Sequence, residues 1–197
     1  MTFRLGLTGS IGTGKSTTAQ MFRDAGCPVW DADEAVRRLY EKNGGAVDKI
    51  GAVFPHAVVN AAVSRKALKD IIANDPGALR VIEQIVHPLV AHDRAIFMQT
   101  TSADILVFDI PLLYENGTES MMDAVVVTTI ASDKQRARVM QRGTMTETQF
   151  QQILQKQVPD QEKQARADYV IVTDTVEHAT EQVQNVLTAI RRKIAHA

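Results

Sequence analysis

The chain has 197 residues, 45% of them hydrophobic and 23% charged, which suits a folded domain with a sizeable core and excludes disordered and fibrous classes. Lys plus Arg number 22 against 23 Asp plus Glu, a net charge of −1 that excludes the broad basic footprint of a nucleic-acid binder. Cys27 is the only cysteine, so neither an internal disulfide nor a cysteine-based zinc site can form, as suits a reducing compartment.

No apolar run approaches the roughly 18 residues that span a bilayer. The opening MTFRLGLTGS has no long apolar stretch of the signal-peptide kind and reads as part of the fold. The expectation is a cytoplasmic protein with no membrane or nucleic-acid partner, acting as a monomer or weak homo-oligomer on small-molecule substrates.

Phe3 to Thr8 is short and apolar and runs straight into a glycine-rich turn, which predicts a buried strand. Lys15 to Asp24 reads as a helix with Ala19, Met21 and Phe22 on its apolar face, ended by Gly26. Cys27 to Trp30 is the next apolar run and stops at Asp31. Strand, glycine loop, helix and strand within some thirty residues make a βαβ unit.

Four helices are predicted next, over Asp33–Lys42, Gly45–Phe54, Ser64–Ala73 and Pro76–Thr100, with Pro76 at a first helical position and Ala57–Asn60 as one candidate strand. That is more than a crossover needs, so residues 33–100 read as an inserted helical subdomain. The βαβ rhythm returns with strands at Ile105–Phe108, Ala124–Ile130 and Tyr169–Val172, continuous apolar runs of the kind found in parallel sheets covered on both faces. Ser132 with Gln135, and Thr146 with Gln149, have capping-box spacing and open two helices; Val176–Ile194 closes the chain.

Gly9-Ser10-Ile11-Gly12-Thr13-Gly14-Lys15-Ser16, followed by Thr17, matches G-x-x-x-x-G-K-[ST]. Glycines let successive backbone N–H groups turn toward phosphate oxygens, and the helix that follows adds its positive end. Lys15 is placed for the β- and γ-phosphates and the Ser16 hydroxyl for magnesium. Composition alone would produce the match in only about 0.3% of such chains, and here it also follows a strand and opens a helix. A guanine-reading N-K-x-D is absent, as is the G-x-G-x-x-G of a dinucleotide fold.

Two constellations favour phosphoryl transfer to a small acceptor. Asp31-Ala-Asp33 stands at the carboxyl end of the second strand, the edge where open α/β sheets bind ligands, so Asp33 could take the proton of an acceptor hydroxyl or cap the next helix. Asp109 closes its strand where a second carboxylate can serve magnesium or its waters. Arg136, Arg138 and Arg142 follow on one helix, the last two sharing a face from which they could clamp phosphate oxygens or merely form a solvated basic surface.

These residues resemble the dephospho-CoA kinase family, whose members catalyse the last step of coenzyme A synthesis. The likeness runs from Leu5 to Asp174 through the P-loop, Asp31-Ala-Asp33 with Arg37, Ile85-Val-His87-Pro88, and Asp109-Ile-Pro111-Leu112-Leu113-Tyr-Glu115. It continues through Arg138, Arg142 and Gln157 to Lys163 and Ala167-Asp168. The resemblance implies a three-layer α/β/α P-loop kinase fold with a mostly parallel five-stranded sheet. Its core would span about residues 1–32, 101–135 and 158–197, with a helical acceptor-binding insertion at about 33–100 and a lid at about 136–157.

It also implies ATP- and magnesium-dependent phosphorylation of the ribose 3′-hydroxyl of dephospho-CoA. Asp33 would be the base, Arg37, His87, Pro111 and Leu112 acceptor-side groups, and Arg138 and Arg142 lid groups for phosphate. Ser10, Thr13 and Gly143 depart from the usual family residues, and Val172-Thr173-Asp174-Thr175 replaces Asp-Asn-x-Gly, a change that bears on adenine contacts from that turn. The alternatives are a P-loop kinase for another small acceptor and a module that senses ATP without transferring phosphate.

Overall fold

The computed structural model describes residues 2–196. In chain order the elements are β1 (Phe3–Gly9), α1 (Lys15–Asp24), β2 (Val29–Asp31), α2 (Ala32–Tyr40), α3 (Val47–Val53), β3 (Val58–Val59), β4 (Ala62–Val63), α4 (Arg65–Asn74) and α5 (Ala78–Thr100). They continue as β5 (Ile105–Asp109), β6 (Ala124–Thr129), α6 (Ser132–Gln141), α7 (Glu147–Lys156), α8 (Asp160–Arg166), β7 (Tyr169–Val172) and α9 (Val176–Ala195). The chain divides into two compact units, one made of Asp31–Thr101 and the other of the segments on either side of it.

The larger unit carries a five-stranded sheet in the order β2-β5-β1-β6-β7. The pairings β1 with β5, β1 with β6 and β6 with β7 are parallel, with Leu5 opposite both Val107 and Ala124. β5 and β6 are buried along their whole length, which is why their sequences run apolar from Ile105 to Phe108 and from Ala124 to Val127 instead of alternating, with the polar Asp109, Thr128 and Thr129 only at their carboxyl ends. One face packs Leu5, Leu7, Val107 and Val126 against Phe22 of α1 and Val183, Leu187 and Ile190 of α9. Each such side chain removed from water stabilises the unit by about 1.5–3 kcal/mol.

The helical unit has its own core, in which Ile50, Leu68, Ile82 and Val86 are buried together. Arg38 of α2 donates to Asp93 of α5 at 2.7 Å and ties the two helices at their edge. The structure gives this segment a small hairpin, β3 with β4, where a single strand is expected. Asn60 and Ala61 form its turn with φ of 52° and 59°, the paired left-handed geometry that matches strand twist. A carbonyl bond from Asn43 N–H to Ala61 O, 2.9 Å, holds that turn although Ala61 is not glycine.

Three other local expectations are corrected. Pro76 lies before α5, whose N-cap is Gly77; the Asp75 carboxylate accepts from Gly77 N–H at 2.8 Å and makes a separate turn there. β2 starts at Val29, because Cys27 N–H is spent on Phe22 O at the end of α1. Ser132 does not cap α6: Ala131 is the N-cap, and the Gln135 side chain is drawn away to the P-loop. The Thr146–Gln149 capping box does form.

Candidate active site

The P-loop runs from the end of β1 to the start of α1, and its shape is set by what surrounds it. A Cβ on Gly9 would stand 2.2 Å from Thr128 Oγ1, and one on Gly12 2.5 Å from a methyl of Val139. Gly12 and Gly14 also take φ of 80° and 90°, open to glycine at little cost. Beneath the loop, Thr13 Oγ1 donates to Ser10 O and meets Thr128 Oγ1, both at 2.8 Å. The peptide of Ile11 is gripped from both ends: its N–H donates to Gln157 Oε1 at 3.1 Å, and its carbonyl accepts from Gln135 Nε2 at 2.7 Å.

Lys15 turns back from the first residue of α1 and forms an ion pair with Asp109 at the end of β5. Ser16 and Thr17 stand exposed in the first turn of α1. The Ser16 hydroxyl and the Asp109 carboxylate are hard oxygen donors, the type that magnesium takes together with phosphates and water. Among the described residues no group of three or more His, Cys, Asp or Glu forms a ready-made metal cage. The donor set therefore fits an ion held jointly with a bound nucleotide.

Beside the loop is a cleft of about 420 Å³ between α1, α6 and the turn after β7. Gly14, Thr17, Arg138, Arg142, Thr173 and Asp174 line it. The structure thus brings the two arginines to one cavity, but with unequal partners. Arg138 donates to Thr173 Oγ1 at 3.1 Å and to Thr173 O at 2.6 Å, whereas the Arg142 side chain, at the C-cap of α6, is exposed with no hydrogen bond or ion pair among the described residues. At the cleft edge, the ring of His178 and the N–H of Thr175 hold the Asp174 carboxyl below its ordinary value.

The loop after β5 is fixed at both ends. Thr8 Oγ1 donates to Pro111 O at 3.1 Å, while Leu112 is left 42% exposed. Glu115 ends the segment against the wholly buried ammonium of Lys163, 2.8 Å away, and the same carboxylate oxygen accepts from Val158 N–H at 2.9 Å. Burial would raise the Glu115 pKa, but Lys163 and the N–H groups of Glu115 and Val158 together bring it below its usual value.

Asp33, Arg37 and His87 belong to the helical unit, and all three are exposed. Asp31, not Asp33, caps α2: its Oδ1 accepts from Glu34 N–H at 3.0 Å. That leaves Asp33 in the first turn without a capping duty. Arg37 is engaged by Glu34 at 2.8 Å and by Glu41 at 2.6 Å. His87 precedes Pro88 inside α5.

Sequence reasoning missed Gln135, Thr128 and Thr173 as parts of the site. Their types gave no signal, since Gln135 fitted a capping box and the threonines fitted strand ends. The departure of the Thr173 turn from the family pattern was the single hint.

The sequence model of the dephospho-CoA kinase family matches residues 3–178. A Ruegeria pomeroyi dephospho-CoA kinase is 64% identical over 197 residues, covering 100% of both chains. One from Cereibacter sphaeroides is 53% identical over 96% of each. Among solved structures, a Thermus thermophilus protein superposes with a TM-score of 0.86 at 29% identity, covering 95% of this chain and 97% of its own. The Campylobacter jejuni dephospho-CoA kinase shares the fold with a TM-score of 0.65 at 23% identity, covering 95% of this chain and 96% of its own. With the P-loop, the Asp109 strand end and the arginine-lined cleft all on one sheet edge, and relatives matched along their full length, the chain belongs to the dephospho-CoA kinase family.

Proposed function

We propose that the protein transfers the γ-phosphoryl group of ATP to the ribose 3′-hydroxyl of dephospho-CoA, giving coenzyme A and ADP. The observation that carries the reading is the Lys15–Asp109 pair at the mouth of a glycine loop, in a chain that aligns end to end with dephospho-CoA kinases.

The triphosphate would lie along the backbone of Gly9, Ile11, Gly12, Thr13 and Gly14 and the first-turn amides of Lys15, Ser16 and Thr17, a concave row of donors at a helix N-terminus. Lys15 would neutralise the β- and γ-phosphates. Ser16 and Asp109 would hold magnesium directly or through water, and that ion would offset charge on the transferring group. Arg142, exposed at the cleft, and Arg138 would stabilise the charge that gathers on the equatorial oxygens.

Asp33 would be the general base. It would accept the 3′-hydroxyl proton as the oxygen attacks the γ-phosphorus and the bond to the ADP oxygen breaks. Its freedom from capping supports that assignment over a structural one. The helical insertion, about 33–100, would bind the acceptor through Arg37 and His87, joined by Pro111 and Leu112 of the loop after β5, and residues 136–157 would serve as lid. Cytoplasmic action is consistent with the lone Cys27, a buried free thiol.

The deciding experiment incubates the protein with ATP, magnesium and dephospho-CoA and follows the acceptor by mass spectrometry and ADP by a coupled assay. One added phosphate on dephospho-CoA is expected, with no comparable product from shikimate or simple sugars. Activity on a sugar alone would overturn the reading.

A further inference from the structure

We propose that Thr173 is a positioning residue for ATP: its hydroxyl locks Arg138 to the P-loop as a fixed wall of the cleft, and Arg142 is the arginine left to move onto the phosphates. This rests on the kinase reading above.

The argument is one of hydrogen-bond direction. A threonine hydroxyl has one proton to give and lone pairs to receive. Thr173 Oγ1 lies 2.7 Å from Thr13 O and 3.3 Å from Thr129 O, so its proton goes chiefly to the P-loop carbonyl. A guanidinium is a donor only, so the 3.1 Å contact with Arg138 Nη1 can run in one direction, from Arg138 to Thr173. A second donation, from Arg138 Nη2 to Thr173 O at 2.6 Å, fixes the plane of the guanidinium. The chain of donors therefore reads Arg138 to Thr173 to Thr13, without conflict.

Four elements meet at this hydroxyl: α6, the end of β6, the end of β7, and the phosphate loop. Thr173 is 8% exposed, and its side chain packs directly on the last glycine of the loop, since a Cβ on Gly14 would meet it at 3.1–3.3 Å. Two of the five donors of Arg138 are spent here, three are left over, and the residue lines the cleft. Arg142 lines the same cleft with its side chain exposed. One arginine is thus held in place before ATP arrives, at no ordering cost on binding, and the other is ordered by it.

The test measures steady-state kinetics with ATP varied at saturating dephospho-CoA. Thr173→Val keeps the packing against Gly14 and deletes the hydroxyl; Thr173→Ser keeps the hydroxyl. Thr173→Val should raise KM for ATP about tenfold, the scale of one buried hydrogen bond, with kcat changed less than about threefold. Thr173→Ser should return KM to within about twofold of the unmodified protein, which a purely packing role would not do. Arg138→Met should raise KM for ATP at least as far as Thr173→Val does and, because its charge is removed as well, should also lower kcat; the KM of the double variant should be no worse than that of the worse single one.

An unchanged KM in Thr173→Val, no rescue by serine, a loss confined to kcat, or additive losses in the double variant would overturn the proposal. If Thr173→Val does not fold, Arg138→Met and Thr173→Ser decide alone: an unchanged KM in the first, or a raised one in the second, overturns it. An unmodified protein that binds ATP but phosphorylates no dephospho-CoA would overturn the proposed function instead, and calorimetric ATP affinities of the same variants would then decide the role of Thr173.

Discussion

Lys15 and Asp109 meet as an ion pair in which the lysine side chain is 15% exposed and the aspartate 2%. Each stands where its own element places it, Lys15 at the first residue of α1 and Asp109 at the last residue of β5. Since β5 lies directly beside β1 in the sheet, the carboxylate comes to the phosphate loop by topology, although 94 residues separate the two in sequence. A nucleotide entering the loop would compete with Asp109 for the ammonium.

Replacing either partner should therefore produce different deficits. Lys15→Ala removes charge that acts on the transferring group, and turnover should fall by about 10²–10³-fold or more. Asp109→Asn keeps the shape and, on the proposed assignment, would weaken the hold on magnesium. Its kcat should fall, and half-maximal activity should require a higher magnesium concentration than the unmodified protein needs. A magnesium titration of both variants by ADP release checks the contrast; an Asp109→Asn curve identical to the unmodified one would remove Asp109 from the ion site.

Asp33 stands in the first turn of α2, exposed, with Asp31 doing the capping. Asp33→Asn should lower kcat by about 10²–10⁴-fold, the usual contribution of a general base, with KM for ATP almost unchanged. The helix should survive, because the Asp31 cap is untouched. Steady-state kinetics together with circular dichroism make the measurement, and an unaltered kcat would mean that another group takes the proton.

What could be read from the sequence was what is local to it. The phosphate loop, the Thr146 capping box and the apolar runs of β1, β5 and β6 depend on residues a few positions apart, or on a period of burial that the chain carries openly. Gln135 shows the limit. Its spacing from Ser132 suits a capping box, yet its amide is bound to Ile11 O, 124 residues away, and that stronger demand leaves the cap to Ala131. Thr173 is the same case at a separation of 160 residues from Thr13. Side chains that hold a site together by long-range hydrogen bonds leave no periodic signature, so the phosphate loop could be placed from the sequence and its supports could not.

Gly12 offers a test of how tightly the loop is built. Gly12→Ala would put a methyl 2.5 Å from Val139 Cγ2 at a φ of 80°, so that either α6 shifts or the loop opens. The strain should destabilise the fold by about 1–3 kcal/mol. ATP affinity should fall as well, because the loop amides lose their alignment while Lys15 and Asp109 remain in place. Urea unfolding and calorimetric titration of the same sample read both effects.

Glu115 and Lys163 supply the pH dependence. Lys163 is wholly buried, and Glu115, whose side chain is 12% exposed, is its ion-pair partner. Glu115 titrates below its ordinary value of 4.5 in the folded chain. A carboxylate with a lowered folded pKa adds stability that is fully present above the unfolded value and is lost as pH falls through the folded one. Unfolding free energy should accordingly be flat from neutrality to about pH 5 and then decline in acid, in part through this residue. Glu115→Gln should flatten part of that acid decline. At pH 7 it should cost about 3–5 kcal/mol, because the Lys163 ammonium is left buried without its counter-charge. Lys163→Met, with Glu115→Gln in the same chain, removes both charges and should recover much of the loss, since a buried pair replaced whole by apolar or neutral groups is often near neutral. Urea melts of the unmodified protein and the two variants across pH 3–8 measure this, and a double variant as unstable as Glu115→Gln alone would show that the charges themselves are not what joins Val158 to the loop after β5.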